Sequence, residues 1–502
     1  MSRLRRIPGR TRHRATLVVL CRVALACLFS AAPADAGASG VSLSGRAEAL
    51  GVARLDHASP AQLPSLRIDL ELTQRLGHGF RWKLGGTGRV GGPVVDPSGA
   101  GVFDLGHTFQ DIAPSLELGE AWIEYRGESL DIRAGTQRFF WGKLDSFQPG
   151  DLLNPRNWQD PLITDEKRSK IAVPAISVDW YFPEVLHAIL PEESRASLVW
   201  QPIAVPFRYP LEDERWFAPA LVAPDQLRIA ALPGSPCPCD VRVEQGVRNI
   251  DPPARSFDNG NVGLRYSARL AGVDWDLSYY NGYDPQPNFS AAIRVRPDES
   301  LPAGGLAAEV AIQPAYERFQ SVGGGAAFEW ASFTWRTEMA WRFQRPWAMT
   351  LAEVQRRVEE DPATLARLVA GDEVVVPAFV ERDAFEWGLG ADTFFFDDLQ
   401  AILELHQTVL VNNDVPLLVR NVDTRIAMNL RKPWWDERIE TQLVALFGIE
   451  AGYQLVRFEA DFEVTEMVRF EAGVLGVWGT ANSLIGQYRD NDQVFFRGIW
   501  TF

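Results

Sequence analysis

A charged segment between residues 133 and 160 offers the clearest candidates for chemistry in this sequence. Lys and Arg residues lie close to several Asp residues there, and turns at Pro149-Gly150 and Asn154-Pro155 bend the chain between them. Fixed charges of both signs on one loop can bias the passage of ions through a narrow, water-filled opening. The alternative is a solvated surface loop held by salt bridges. The candidate pore-constriction residues are Arg133, Lys143, Asp145, Asp151, Arg156 and Asp160.

The residue types used in enzyme active sites do not form a recognisable motif. Outside residues 1–36 the sequence has five His, and none lies in a G-x-S-x-G or H-E-x-x-H pattern. His406 alternates with Glu404 and Thr408, which fits a proton relay but is more typical of a polar row facing water. The Asp and Cys spacings match no known calcium or zinc site. We therefore predict no enzymatic activity, no cofactor and no metal.

Composition and the amino terminus define the kind of protein that holds these residues. The 502 residues include 17 Trp and 28 Phe, which excludes a disordered chain, and a net charge of −15 provides no basic surface for nucleic acid.

Residues 1–36 combine an Arg-rich start, an apolar run and Ala34-Asp35-Ala36, which indicates a secretory signal peptide. Its removal leaves a charge of −21. A membrane anchor is disfavoured because the run is too short to cross ~30 Å of hydrocarbon.

Alternation of apolar and charged residues is the main structural signal in residues 37–502. Leu66 to Thr73 places aliphatic residues at every second position and charged residues between them, as in a strand with one apolar face. Most such segments have the ~9–11 residues with which a tilted strand spans a bilayer. The eighteen segments are 41–55, 66–73, 80–84, 116–126, 129–140, 172–182, 194–203, 260–270, 272–281, 318–330, 332–344, 379–391, 398–411, 418–431, 436–449, 453–464, 467–479 and 491–502.

The connections between these segments alternate in length. Short connections such as 75–79, 126–129 and 270–272 take turns with longer ones, including 91–115, 141–171, 204–259, 282–317 and 345–378. Bacterial outer-membrane barrels have short periplasmic turns and longer outer loops, whereas a β-sandwich has no reason to segregate them. We therefore predict that residues 37–502 form one closed antiparallel transmembrane β-barrel of about 18 strands (16–18), with short helices in its extracellular loops.

The alternation also predicts which side chains meet lipid and which meet water. We expect the apolar set to face outer-membrane lipid and the charged set to face the lumen. The expected lipid-facing residues are Leu66, Leu70, Trp335, Phe458 and Phe462, and the expected lumen-facing residues are Arg67, Glu71, Arg336, Glu459 and Asp461.

The final strand carries the most specific local signal. Val494, Phe496, Gly498, Trp500 and Phe502 share one face, and Phe502 is the last residue. This pattern resembles the carboxyl-terminal signature of Gram-negative outer-membrane barrel proteins. The resemblance implies that the barrel-insertion machinery of the outer membrane recognises this strand.

A second resemblance lies in the charged segment. Gln137-Arg138, Trp141-Gly142-Lys143 and Asp151-Leu152-Leu153-Asn154-Pro155-Arg156 resemble motifs of a family of Gram-negative outer-membrane proteins of unknown function. Thr136 stands where that family often has Arg. The resemblance covers about a tenth of the chain and implies a porin-like barrel without naming a solute.

Two long connections are informative about organisation only. Residues 204–259 are rich in Pro and contain Cys237 and Cys239, so we expect an irregular cap whose two Cys are either reduced or joined. Residues 350–371 predict two short helices, with Asp361-Pro362 capping the second.

The sequence thus predicts a porin-like channel for passive or solute-specific diffusion of small molecules. Two alternatives stay open: a plugged barrel with a structural or adhesive role, and a transporter of hydrophobic compounds. The expected partners are outer-membrane lipid, the insertion machinery and small solutes.

Overall fold

The computed structural model describes residues 40–55, 64–92, 115–159, 166–183, 190–208, 215–216, 226–229, 239–247, 259–297, 306–396, 398–481, 483 and 485–502. The predicted signal peptide, Asp160 and Cys237 lie outside these residues. In the described part of the chain, no helix is long and apolar enough to cross a membrane.

Eighteen strands form one antiparallel sheet. Numbered in chain order among the 23 strands of the described residues, they are β1 Ser42–Arg54, β2 Ser65–Gly77, β3 Phe80–Gly91, β4 Ser115–Arg126, β5 Leu130–Gln137, β6 Val173–Tyr181, β7 Glu192–Gln201, β10 Asn261–Leu270, β11 Val273–Tyr283, β14 Arg318–Trp330, β15 Phe333–Ala348, β17 Phe379–Phe395, β18 Leu399–Leu410, β19 Val422–Trp434, β20 Ile439–Gly448, β21 Tyr453–Thr465, β22 Val468–Gly479 and β23 Gln493–Thr501. Each predicted segment corresponds to one of these strands.

The sheet closes on itself. β1 pairs with β2 on one side and with β23 on the other, from Arg46 opposite Thr501 to Arg54 opposite Gln493. Phe502 extends the closure, because its N–H donates to the Gly45 carbonyl at 3.0 Å and its own carbonyl accepts the Gly45 N–H at 2.8 Å. The predicted closed antiparallel barrel is therefore confirmed, and closure leaves the sheet without a free edge.

The two ends of the barrel differ as predicted. At one end, here called the turn end, consecutive strands join through short connections such as 78–79, 271–272 and 331–332. Gly79 makes such a turn possible, since its φ of +82° is unfavourable for other residues and a Cβ there would lie 2.3 Å from the Arg126 carbonyl oxygen. The long connections all leave from the opposite end, called the loop end.

The two faces of the barrel follow the predicted register. Leu70, Phe458 and Phe462 are each 43–45% exposed on the outer face. The charged residues between them point inward: Glu459 is buried, and Arg336 contacts a loop inside the barrel. This arrangement suits a surface in contact with lipid and an interior in contact with water.

A smaller sheet of five strands is formed by the long connections. Its strands are β8 Gln226–Ile229, β9 Cys239–Val247, β12 Asn288–Pro297, β13 Leu306–Ala315 and β16 Val374–Pro377. The expectation that 204–259 is irregular is wrong for 226–229 and 239–247. β9 becomes a strand because β13, about 65 residues later in the chain, offers it a parallel edge, and local sequence does not encode such a distant partner.

Both predicted helices in residues 350–371 are present. They are α2 Leu351–Glu360 and α3 Pro362–Val369, after a short α1 at Glu166–Ser169. Asp361 caps α3 by accepting the N–H groups of Ala363 and Thr364, with Pro362 at the first position. In α2, hydrogen bonds from Arg356 and Arg357 lower the pKa of Glu353 to about 2.

Candidate functional site: a loop inside the barrel

In the connection from β5 to β6, the described residues 138–159 and 166–172 lie inside the barrel and are called the inner loop. Its base is closed by Asn154, whose side chain accepts the Phe139 N–H at 2.6 Å and donates to the carbonyls of Gln137 at 3.1 Å and Ile171 at 2.8 Å. One short polar side chain thus joins both ends of the loop.

Apolar packing holds the base of the inner loop against the wall. Phe139, Leu153 and Ile171 belong to a buried cluster that continues into β6, β7, β11 and β14; its other members are Val173, Ala175, Val199, Val205, Tyr280 and Phe319. Gly263 of β10 leaves the space for this contact, because a Cβ there would lie 2.8 Å from Leu153 and 3.0 Å from Trp141. The base is consequently a rigid part of the barrel interior.

Two buried carboxylates hold the tip of the inner loop, residues 143–150. Glu338 of β15 accepts the N–H of Leu144 at 2.7 Å and that of Gly150 at 2.9 Å, and it also accepts the Lys143 N–H. Glu404 of β18 accepts the N–H groups of Asp145 at 2.5 Å and Ser146 at 2.8 Å. The two glutamates are 2% and 1% exposed, so their charge is directed to the loop backbone.

The side chain of Leu144 also holds the tip of the inner loop against the barrel wall. It is buried against Gly388 and Gly390 of β17, where a Cβ would lie 2.5 Å and 2.9 Å from its methyl groups. Phe147 then stacks on His406 of β18, with ring centroids 5.1 Å apart. The tip is therefore seated on the wall formed by β15, β17 and β18.

The last part of the inner loop, residues 166–172, binds another part of the barrel wall. Arg168 of α1 binds Glu48 of β1 at 2.6 Å and lies 3.9 Å from Asp69 of β2. Since β1 and β2 are separated from β15–β18 by strands on both sides of the barrel, the inner loop crosses the lumen.

The candidate residues from the sequence occupy different positions in this arrangement. Lys143 binds Asp276 of β11 at 3.2 Å, and Asp145, which is 49% exposed, binds Arg336 of β15 at 2.7 Å. Asp151 is brought together with Arg156 at 3.2 Å, and it is buried by a second ion pair with Lys170 at 2.6 Å.

Arg133 lies apart from the inner loop. It is on the inner face of β5, bound to Glu124 at 2.6 Å and 4.5 Å from the Trp122 ring centroid. The set is thus not one cluster, and Asp145 is its most exposed charge among the described loop residues.

A third wall, from β19 through β23 to β1, carries inward-facing ion pairs. Each pair joins an Arg to an Asp or Glu. The four pairs are Arg425–Asp423 at 2.5 Å, Arg457–Glu459 at 3.2 Å, Arg497–Glu471 at 2.8 Å and Arg46–Glu48 at 2.9 Å. The part of the lumen between this wall and the inner loop is called the aperture.

Sequence reasoning missed the residues that anchor the inner loop. The alternation places Glu404 in a polar inner row, but nothing in it distinguishes this residue from a carboxylate that faces water. Glu338 and Arg168 likewise gave no separate signal, since their partners are about 120 to 260 residues away. Gly388 and Gly390, at alternate positions of one strand, were the available sign of a close approach.

Comparisons with known proteins give fold-level likeness only. No protein-family model matches the chain, and no curated protein matches it. Among solved structures, a triple mutant of the Rhodopseudomonas blastica porin is 11% identical, covering 92% of this chain and 100% of that chain with a TM-score of 0.36. Salmonella typhi OmpF in complex with daunomycin is 10% identical, covering 92% and 98% with a TM-score of 0.38. Such values leave the function to be argued from this chain's own residues.

Proposed function

We propose that the chain is a porin-like channel of the Gram-negative outer membrane, through which small solutes diffuse passively. The observation that carries the proposal is the position of the inner loop, anchored on the β15–β18 wall and at β1–β2 beside a third wall of inward-facing ion pairs. Charged inner rows need water, whereas an outer face of exposed Leu and Phe suits lipid. A water-filled aperture between loop and wall would pass hydrated solutes.

The same proposal assigns the turn end to the periplasm and the loop end to the outside. Short turns on the periplasmic side and long outer loops are the usual arrangement of bacterial barrels. The insertion machinery is the proposed partner of β23, whose outer row ends at Phe502. The closure contacts of Phe502 with Gly45 support this, because the strand that carries the insertion signal would also complete the barrel.

Single-channel recording in planar bilayers tests the proposal. Purified, refolded protein in KCl should produce discrete conductance steps, and a heat-denatured sample should produce none. A variant lacking residues 143–148, which removes most of the tip held by the two glutamates, should give larger steps if the loop narrows the lumen. Folded protein that inserts without any steps would contradict the channel.

A plugged barrel with a structural or adhesive role is the second candidate. It is favoured by the crossing of the lumen by the inner loop and by Trp216 of the next loop, which packs on Leu50 and Phe495 inside the barrel. In a liposome-swelling assay the plugged barrel would admit no sugar, whereas the channel would admit small sugars at a rate that falls with their size. Neither candidate involves catalysis.

A further inference from the structure

We infer that one side of the turn end is a lipid-binding surface, which inserts into the head groups of the membrane while the opposite side stays in water. The inference rests on the proposed membrane location, and it does not depend on conductance. The surface consists of four aromatic side chains, here called the aromatic turn patch: Trp330, Phe394, Phe396 and Trp435.

The aromatic turn patch is the most exposed apolar part of the described residues. In chain order its side chains are 67%, 62%, 87% and 75% exposed, the four highest fractions among the large hydrophobic side chains that the structure describes. The chain thus presents its most exposed rings at one end of the barrel. Apolar surface concentrated in this way marks a site of contact with a protein or a membrane.

All four residues lie on three neighbouring hairpins of the wall. These hairpins are β14–β15, β17–β18 and β19–β20, and their six strands pair one after another. About half the circumference away, the hairpins β2–β3 and β4–β5 carry His78 and Glu128 in their turns. The aromatic turn patch therefore belongs to one side of the barrel, and the opposite side has polar turns.

Two of the rings are held in an unfavourable backbone conformation. The φ angle is 51° at Phe396 and 53° at Trp435, in the left-handed region where bulky side chains are rare. Gly or Asn at either position would avoid the strain and would also remove an exposed ring. Because strained residues of this kind concentrate at functional sites, both features are explained by a partner that binds the rings.

The surface next to the aromatic turn patch identifies that partner as lipid. Phe395 and Trp434, which directly precede Phe396 and Trp435, lie on the outer face and are 46% exposed each, so the patch continues the face proposed to contact lipid. Lys432 of the same face lies 4.9 Å from the Trp434 ring centroid. Trp with a neighbouring Lys is typical of the boundary between hydrocarbon and head groups. A docking site for a protein would instead be bordered by polar residues.

The charges around the patch limit how deep it can lie and which head groups it accepts. The turn that begins at Trp435 continues with Asp436, Glu437 and Arg438, all of them exposed. Such side chains are costly in hydrocarbon, so the rings reach the head-group layer and the charges stay at its aqueous edge. Because two of the three charges are acidic, zwitterionic head groups fit this edge better than anionic ones.

Spin labels on single cysteines test the inference, because collisions with oxygen are frequent in lipid and collisions with a water-soluble nickel complex are frequent in water. The chain without residues 1–36, with Cys237→Ser and Cys239→Ser, would carry either Ser332→Cys, beside Trp330, or the matched Ser129→Cys in the turn of β4–β5. After refolding into phosphatidylcholine vesicles, the ratio of oxygen to nickel collisions should be several-fold higher at position 332 than at position 129.

Removal of the rings should abolish this difference. Trp330→Ser with Phe396→Ser, added to Ser332→Cys, should bring the ratio at position 332 close to that at position 129. Trp158→Ser is the matched control, because Trp158 is 49% exposed but lies on the inner loop, and it should leave the ratio unchanged. Migration of unheated and heated samples on gels verifies folding. If the double variant does not fold, the comparison of positions 332 and 129 decides the question.

The possible failures are distinguishable. A label at Phe458→Cys, on the outer face of β21, should report hydrocarbon, and a water-like value there would refute the proposed membrane location itself. With that label in hydrocarbon, equal ratios at positions 332 and 129 would overturn the inference and leave the barrel in the membrane. A label at position 332 that is water-exposed in vesicles but becomes shielded when periplasmic extract is added would replace lipid with a protein partner and would also overturn it.

Discussion

Replacing Glu404 with Gln should release the tip of the inner loop. The carboxylate accepts two backbone N–H groups, from Asp145 at 2.5 Å and Ser146 at 2.8 Å, and it is 1% exposed. A Gln side chain keeps one oxygen acceptor but presents an amide N–H2 where the second oxygen was. One of the two loop amides would then face a donor in place of an acceptor.

The size of the effect follows from these bonds. A hydrogen bond to a charged acceptor contributes about 1.5–3 kcal/mol, so losing one and weakening the other costs about 2–4 kcal/mol. Gln also relieves the desolvation of a buried carboxylate, which favours the lower part of that range. At 1.36 kcal/mol per factor of ten, the released tip becomes roughly 30-fold to 1,000-fold more populated.

Single-channel recordings should report this release as a second, larger conductance level visited during each opening. Glu440→Gln provides the matched control, since it removes a carboxylate from the inner wall at β20 that pairs with Arg431 at 3.3 Å. The reasoning is refuted if folded Glu404→Gln protein has the same current level and noise as Glu440→Gln.

Three further predictions concern lipid contact, assembly and pH. Phe458→Lys, on the lipid side of β21, should cost ~2–4 kcal/mol in a folding titration into lipid, against little for Gln442→Lys on the inner face; equal costs would refute the register. Deleting Phe502, or Gly45→Val, which would place a Cβ within 2.3 Å of the Phe502 ring, should lower assembly more than synthesis, measured as heat-modifiable protein; unchanged assembly would count against the closure contact. Because two arginines lower the pKa of Glu353 to about 2, its contribution to α2 should be complete above the ordinary Glu pKa and be lost as the pH falls toward 2, as a carboxyl NMR titration would report; a midpoint at the ordinary value would contradict the pairing.

Much of the barrel could be predicted from local sequence. Alternation has a period of two residues, and a strand in a barrel has lipid on one side and water on the other. The pattern of a segment such as 453–464 therefore indicates which of its side chains face lipid and which face the lumen. Connection lengths then assign the two ends. The cap of α3 could also be predicted from local sequence, because Asp361 accepts hydrogen bonds from N–H groups only two and three residues away.

The candidate site depended on contacts that no local pattern contains. A buried Glu338 that anchors backbone amides and a Glu471 that pairs with Arg497 look the same in a strand, since alternation records only that both point inward. The parallel pairing of β9 with β13 could not be predicted either, because the local sequence of β9 does not indicate so distant a partner.

The sequence by itself therefore determined that the chain forms a barrel of about 18 strands, which face of each strand is apolar, and at which end each long loop lies. Those properties follow from an alternation that repeats every two residues and from the lengths of the connections. Only the tertiary structure decided where the inner loop goes, that Asp151 is buried with Lys170 while Asp145 stays exposed, and that Arg425 pairs with Asp423 on the inner face of β19. These properties depend on which distant groups meet inside the barrel, and that is set by closure of the sheet.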